Sequence, residues 1–430
     1  MTWLRWILFV TLAAFGVGAR LLGAAEVDDP AGSALIALGI LIVGGALAGD
    51  LAVRLRLPRI SGYLVLGILV GPYVGHAVTL ADHRLLRLFE ELALGLIALT
   101  AGGEFRVEGL RSRLRSLLAI TAGHTVGVFL LVSAVVWTVL ELAPQAAGVL
   151  PGQRAAAAIL LGAIAVASSP ATAIAIITET RSRGPLVNAV LGVTIVKDLI
   201  ILLMFTWAAV IATTLVQGGD VGLGLLRGVG VEIFLSLAAG VLLGVVFGAY
   251  LVAVGRYLEL TVVLLALVSA ELGHQAGLEH LLVCMAAGFV VRNLFSLRAG
   301  GFIVALEQAS PPVYVVFFAL VGAGLDVRVL AVIGVPALLY VLLRLGATWM
   351  MTAGPARLAG ASPHVIRSAW MGFVAQAGLS LGFASRIRRE LPEIGVTLAA
   401  VVVASVVLNQ LAGPVLWERA LRVAGEARDR

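Results

Sequence analysis

The feature that most constrains this chain is its succession of long apolar runs separated by short polar breaks. Fourteen runs are long enough to cross a bilayer, at about 3–24, 33–53, 60–79, 85–103, 114–141, 155–179, 186–216, 226–254, 257–273, 277–293, 311–327, 331–356, 365–386 and 393–417. A hydrocarbon core is ~30 Å thick, and at ~1.5 Å per residue about 20 helical residues span it. In lipid every backbone polar group must bond internally, so such runs fold as helices. Charged residues make up only 13% of the 430 residues, about half the share in a soluble protein. The expected class is an all-α polytopic membrane protein with 13–14 transmembrane helices and brief loops. The run at 3–24 lacks a convincing small-residue cleavage site before Glu26, Asp28 and Asp29, so it is read as a span rather than a signal peptide.

The arginines are scattered between the runs, which suits topology control rather than nucleic acid binding. With both termini in the cytoplasm, 19 arginines fall in cytoplasmic segments and nine on the other side. Arg386, Arg388 and Arg389 cluster on the minority side. The Arg-rich, lysine-poor composition is associated with bacteria of GC-rich DNA, which places the expected chain in a bacterial inner membrane. A single cysteine, Cys284, excludes an internal disulfide and a thiolate metal cluster, and the six histidines form no metal-spaced pair. No cofactor is expected. Gly45/Gly49 and Gly240/Gly244/Gly248 have the small-xxx-small spacing of close helix contacts or a dimer face.

Against this apolar background, three charges stand out. Lys197, the only lysine, and Asp198 sit in the middle of the seventh run, and Arg344 sits deep in the twelfth. A charge at the bilayer centre costs about 2.5–3.5 kcal/mol on insertion scales, so an intramembrane ionisable residue is read first as functional. Asp198 suits exchange of a proton for a hard monovalent cation, which prefers oxygen ligands. Thr194 lies one turn back on its face. The structural alternative is a salt-bridge cluster between helices.

Two runs carry helix-breaking chemistry at similar depth. The sixth holds Ser168-Ser169-Pro170-Ala171-Thr172, where proline removes a donor and frees carbonyls. Ser169, Thr172 and those carbonyls are candidate ion ligands; a simple proline kink is the alternative. The thirteenth holds Gly372, Gln376-Ala377-Gly378-Leu379-Ser380 and Gly382, with Gln376 and Ser380 on one face of an intact helix. A weak repeat relates residues 98–104 to 319–326, each closing a span before an arginine-bearing turn. These are the fourth and eleventh spans, seven apart, so the copies are inverted. The expected organisation is two inverted six-helix repeats, 33–216 and 257–417, joined by a connecting helix at 226–254, with discontinuous helices at mid-membrane, which the family resemblance named next implies are crossed.

At these residues the chain resembles the monovalent cation/proton antiporter superfamily over roughly 33–417. The resemblance rests on Ile60-Ser61-Gly62-Tyr63-Leu64 through Gly67 to Gly71-Pro72, Gly102-Gly103-Glu104, Ser169-Pro170-Ala171-Thr172, Asp198, and Gly322 to Asp326. It implies a homodimer in the lipid bilayer, each protomer with a scaffold domain and a mobile core, here about 85–216 and 311–417. It maps the essential aspartate onto Asp198, the ligand for a monovalent cation or proton, and the helix-anchoring base onto Arg344. Lys197 departs from the family, which carries Asp, Asn or Gln there. The expected function is cation (Na+ or K+)/proton exchange by alternating access. The alternative is a non-exchanging or anion/proton-coupled relative acting as sensor or carrier. A Ser–Lys dyad enzyme from Ser168 or Ser169 with Lys197 leaves the repeat and Arg344 unexplained, so no enzyme is expected.

Overall fold

A computed structural model describes residues 30–104, 114–142, 151–217, 223–296, 298–376 and 378–427. The first expected span, 3–24, lies outside the described residues. The described chain is helical: α1 Pro30–Arg54, α2 Arg59–Val70, α3 Leu80–Leu85, α4 Arg87–Glu104, α5 Leu114–Ala122, a π turn Gly123–Gly127, α6 Val128–Leu142, α7 Pro151–Val166, α8 Pro170–Thr180 and α9 Pro185–Gln217. There follow α10 Leu223–Ala253, α11 Leu258–Ala276, α12 His280–Leu294, α13 Ala299–Ala323, α14 Val329–Leu358, α15 Pro363–Ser368 running into a 3-10 turn Ala369–Phe373, α16 Gly378–Glu390 and α17 Pro392–Val423.

Two boundaries differ from the sequence reading. The run at 60–79 is helical only to Val70, where Gly71 takes an extended backbone. The run at 311–327 belongs to a helix that starts at Ala299 and continues through Pro311 and Pro312. Those prolines remove donors to the carbonyls of Glu307 and Gln308, both exposed residues, so the helix tolerates them.

Glycines set how closely the helices approach. A Cβ on Gly67 of α2 would stand 2.0 Å from the Ala319 carbonyl oxygen, and one on Gly322 of α13 would stand 2.2 Å from that of Leu64. The α4–α12 contact is built the same way, with Gly102 against Met285 O at 2.0 Å and Gly288 against Leu99 O at 2.3 Å. In every case the carbonyl belongs to the residue three before the opposing glycine. Gly240, Gly244 and Gly248 press on Val283, Ala287 and Phe295. That stripe is therefore used within the chain, against α12 and the turn after it.

Around the breaks, one apolar cluster joins Leu160 and Ile164 of α7, Phe205 of α9, Phe383 of α16 and Val402 of α17. Phe205 and Phe383 stack with ring centroids 3.8 Å apart. A separate cluster, including Leu96, Val262, Cys284 and Phe302, joins α4 and α11–α13.

Candidate functional site

The sixth apolar run is two helices. After α7 ends at Val166 the chain runs three residues without helix, and α8 starts at Pro170. Proline therefore opens a helix rather than kinking one, at the position where its missing N–H costs nothing. Ser169 is the N-cap, its Oγ accepting from Thr172 N at 3.2 Å. The thirteenth run is interrupted in the same manner: the 3-10 turn ends at Phe373 and α16 begins at Gly378. The two breaks touch directly, with Ser169 N donating to Ala375 O at 2.7 Å. Gly413 of α17 makes room beneath, since a Cβ there would sit 2.7 Å from Ala375 Cα and N.

A helix end leaves up to four carbonyls without intrahelical donors, and in a dry interior each needs a partner. Arg344 supplies most of them. Its Nε donates to Ala165 O at 2.9 Å, Nη2 to Ala167 O at 2.7 Å and Phe373 O at 2.9 Å, and Nη1 to Val374 O at 2.8 Å. One fully buried guanidinium thus binds the carbonyl ends of both breaks. A planar fork of donors suits this task where an ammonium would not. Gln376 Nε2 donates to Ile164 O at 3.1 Å, and Tyr340 donates to Leu161 O at 2.8 Å.

Lys197 is also fully buried. Its Nζ lies 2.5 Å from Ser168 Oγ, 3.5 Å from His124 Nε2 and 4.7 Å from the centroid of the Phe373 ring. The ammonium is thus seated between the first break, the π turn and the second break, with an aromatic face as a cation–π partner. His124 is held in turn by Thr352 Oγ1, 3.2 Å from Nδ1, and its ring lies 4.7 Å from that of Phe373.

On the opposite flank, α17 presents adjacent amides. Asn409 Nδ2 donates to Gln376 Oε1 at 2.9 Å and Gln410 Nε2 to Thr172 Oγ1 at 3.1 Å. Thr172 Oγ1 donates to Ser169 Oγ at 3.0 Å. Ser169 Oγ therefore accepts both the amide and the hydroxyl of Thr172. Trp417 Nε1 reaches Ala173 O at 3.2 Å.

Of the sequence candidates, Lys197, Ser169, Thr172, Arg344 and Gln376 meet at the crossing. Thr194 and Ser380 are buried on α9 and α16, and their hydroxyls have no hydrogen-bond partner among the described residues. Asp198 lies within α9 next to Lys197; its side chain is outside the described residues. Sequence reasoning missed Asn409, Gln410, Phe373 and the role of His124. Asn409-Gln410 gave the same signal as Lys197-Asp198, adjacent polar residues inside an apolar run. His124, an ionisable residue in the interior of the run 114–141, gave that signal too, but nothing local showed which way it points.

Two cavities flank the first break. One, about 590 Å³, reaches Ser168 and Ser169 from a rim that includes His83, Glu90 and Glu279. The other, about 580 Å³, is lined by Arg59, Tyr63, Glu179, Arg181 and Tyr314 and reaches α8 only at Ile174 and beyond. Ala101 and Ile174 line both.

The family model for the transmembrane sodium/hydrogen exchanger matches residues 36–418, most of the chain. The chain belongs to the sodium/hydrogen exchanger family. Its fold is that of the sodium proton antiporter MjNhaP1 from Methanocaldococcus jannaschii. One structure of that protein, at pH 8, superposes with a TM-score of 0.63 over 92% of this chain and 97% of that one, at 16% identity. A second, from electron microscopy, gives 0.70 over 92% and 99%, again at 16% identity. In Bacillus cereus, the probable Na(+)/H(+) antiporter GerT is 32% identical over 93 residues, 22% of this chain and 24% of that protein. The Na(+)/H(+)-K(+) antiporter GerN is 23% identical over 172 residues, 40% and 41% of the two chains. The matched stretches thus span about a quarter and two fifths of these relatives. As a family member with helices of spanning length, the chain is a multi-pass membrane protein.

Proposed function

We propose that this exchanger-family protein is a secondary transporter that exchanges a monovalent cation, Na+ or K+, for protons by alternating access. The observation that carries this reading is the crossing itself. Two helices break at one place, their polar ends are neutralised by one buried arginine, and a lysine and an aspartate lie adjacent on a third helix. Broken backbone at membrane depth is tolerated where it lines a cavity, and here a cavity reaches Ser168 and Ser169.

In this reading Asp198 binds either a proton or the cation, with Thr194 and the hydroxyls and carbonyls of the first break completing an oxygen shell. Arg344 balances the charge of the helix crossing, to which Gln376 and Ser380 are assigned as neutral members. Lys197 holds the site between cation-bound states, and an incoming cation must displace its ammonium or be matched by its loss of a proton. With cytoplasmic termini, the cavity under Glu90 and Glu279 is the outer one and the cavity beside Arg59 and Arg181 the inner. Their separation at Ala101 and Ile174 is then the barrier that moves. The chain acts as a homodimer of scaffold and core units, the core being about 85–216 and 311–417, in a bacterial inner membrane. The matched glycine contacts of α2–α13 and α4–α12 support two inverted repeats, because α2 and α12, and likewise α4 and α13, are seven spans apart, so the repeat carries one contact onto the other.

A second reading keeps the fold without cation exchange, as a sensor or an anion/proton-coupled carrier. The seated Lys197 ammonium favours it, because a built-in cation already occupies the crossing. The test is cation-driven proton movement in proteoliposomes across lithium, sodium and potassium. Wild type exchanges at least one of these and Asp198→Asn does not; equal activity in the two removes Asp198 from the role. If wild type is silent and Lys197→Asn exchanges, the second reading holds.

A further inference from the structure

Two helices that begin at the same face of the protein have no cap of their own. α2 follows Pro58, which makes no side-chain capping bond. α9 follows Gly184, which has no side chain, and opens on Pro185. The first N–H groups of a helix have no partner inside it and attract negative charge. In both helices a carboxylate from elsewhere in the chain answers them. Glu426, just past α17, accepts from Leu186 N at 2.7 Å and Val187 N at 2.8 Å. Glu179, in the last turn of α8, accepts from Arg59 N at 2.8 Å.

The two caps are built differently. Glu426 is buried, and Gly184 leaves it a seat, since a Cβ there would stand 2.3 Å from Glu426 Cδ. Gly425, at φ 70°, turns the chain back after α17, and Glu426 O accepts from Arg183 N at 3.1 Å. Three bonds to one residue thus fasten the turn between α8 and α9 to the end of α17. The bond from Arg59 N to Glu179 is exposed, and it joins separate parts of the fold. α2 is locked to α13 by the Gly67 and Gly322 contacts, whereas α8 is tied to α17 by Trp417 Nε1 and Ala173 O.

The cavity of about 580 Å³ lies between these two groups. Arg59, Tyr63 and Tyr314 line it from α2 and α13; Ala175, Glu179 and Arg181 line it from α8 and the turn after it. Arg59 and Arg181 are exposed, at its mouth, and Ala175 is buried, on its wall. The bond from Arg59 N to Glu179 therefore crosses the mouth from one wall to the other. Widening the cavity separates the walls and breaks this bond. The Glu426 bonds all lie on one wall and are carried along intact.

We propose that Glu179 is the gate residue of the inner cavity: a removable cap of α2 that holds the mouth closed and lets go when the cavity opens. Release costs little, because at an exposed rim water replaces the lost partner of both groups. Glu426 keeps the turn after α8 in shape while α8 withdraws. The gate rests on the alternating-access reading and gives one of its two cavities a closing contact.

The donor is a backbone N–H, which makes the test specific. Arg59→Ala keeps that N–H. Arg59→Pro removes it, and proline suits the first position of a helix after a residue as extended as Pro58, at φ −59° and ψ 146°. Glu179→Ala removes the acceptor, so the bond is reached from either end. Each variant is made together with Ala175→Cys, and membrane vesicles are treated on the inner-cavity face with an impermeant maleimide. Labelling is read at residue 175 by mass spectrometry, so the buried Cys284 does not contribute. Arg59→Pro and Glu179→Ala should each speed labelling about three- to tenfold over the Ala175→Cys parent, the range for loss of one hydrogen bond. The two together should be no faster than either alone, and Arg59→Ala should label as the parent does. Equal rates in the parent, Arg59→Pro and Glu179→Ala overturn the gate, as does an Arg59→Ala that labels as fast as Arg59→Pro. Cation-driven proton movement is measured on the same vesicles. A parent whose labelling responds to the bond but which moves no cation leaves the gate standing and removes the exchange reading instead.

Discussion

On one flank of the helix crossing, α9 and α14 supply two buried cations, Lys197 and Arg344; on the other, α17 supplies two neutral amides, Asn409 and Gln410. Both flanks reach both breaks. Arg344 spans the carbonyl ends, Lys197 touches Ser168 and Phe373, Asn409 holds Gln376, and Gln410 holds Thr172. Neutral amides accomplish the bracing without burying a charge, so bracing alone does not explain the charges. Arg344 is explained by its four carbonyls. Lys197 has the weaker structural excuse, and it stands beside Asp198. Position at the crossing is shared by both flanks, whereas the proposed function assigns the chemistry to the α9 flank.

The largest effect should come from Arg344→Met. Four carbonyl oxygens lose their donor in a dry interior, and the expected loss of stability is roughly 3–5 kcal/mol, read as a fall in melting temperature in detergent. Arg344→Lys should recover only part of it, because an ammonium cannot bridge both breaks. Full recovery would mean that charge alone, not the fork, holds the crossing. Next comes Gly413→Val, which forces a branched side chain into the backbone of Ala375 and should cost about 1–3 kcal/mol. Wild-type melting in that variant would show that the second break is not pressed onto α17.

Asn409→Leu and Gln410→Leu sharpen the contrast between flanks. Each should lower stability by about 1–2 kcal/mol while leaving cation preference as in wild type. Lys197→Met should instead act on exchange, changing it strongly, as cation-driven proton movement measured against wild type would record. The smallest effect should come from an ion pair far from both flanks. The Arg328 side chain, 2.9 Å from Asp326, holds the Asp326 carboxyl below its usual range. A depressed folded pKa means that this contribution is present above the unfolded value near 3.8 and fades as pH falls through the folded one. Asp326→Asn should therefore matter little at neutral pH and not at all in acid, as melting curves at both pH values would record.

Much of this was legible in the sequence because lipid punishes exceptions. Long apolar runs could only be helices, and Ser169-Pro170 in such a run had to disrupt it. Charges at 197 and 344 demanded partners. What stayed hidden depended on geometry between runs. Nothing local says that Ser169 N meets Ala375 O, or that one arginine serves carbonyls at 165, 167, 373 and 374. Pro170 read as a break that frees carbonyls, but Ser169 could not be read as a cap, because it becomes one only once the helix restarts. His124 stayed hidden because a π turn shifts the helical register and so redirects a side chain that regular spacing places elsewhere. Asn409 and Gln410 were overlooked because amides carry no charge, although their burial inside an apolar run was as visible as that of Lys197.

The most direct test of the division between flanks is the cation preference of proton exchange, measured across lithium, sodium and potassium in proteoliposomes of wild type, Lys197→Gln and Gln410→Leu side by side. If chemistry belongs to α9 and bracing to α17, Lys197→Gln changes which cation drives proton movement, while Gln410→Leu keeps the wild-type order on a less stable protein. A changed order in Gln410→Leu with an unchanged one in Lys197→Gln would contradict the account.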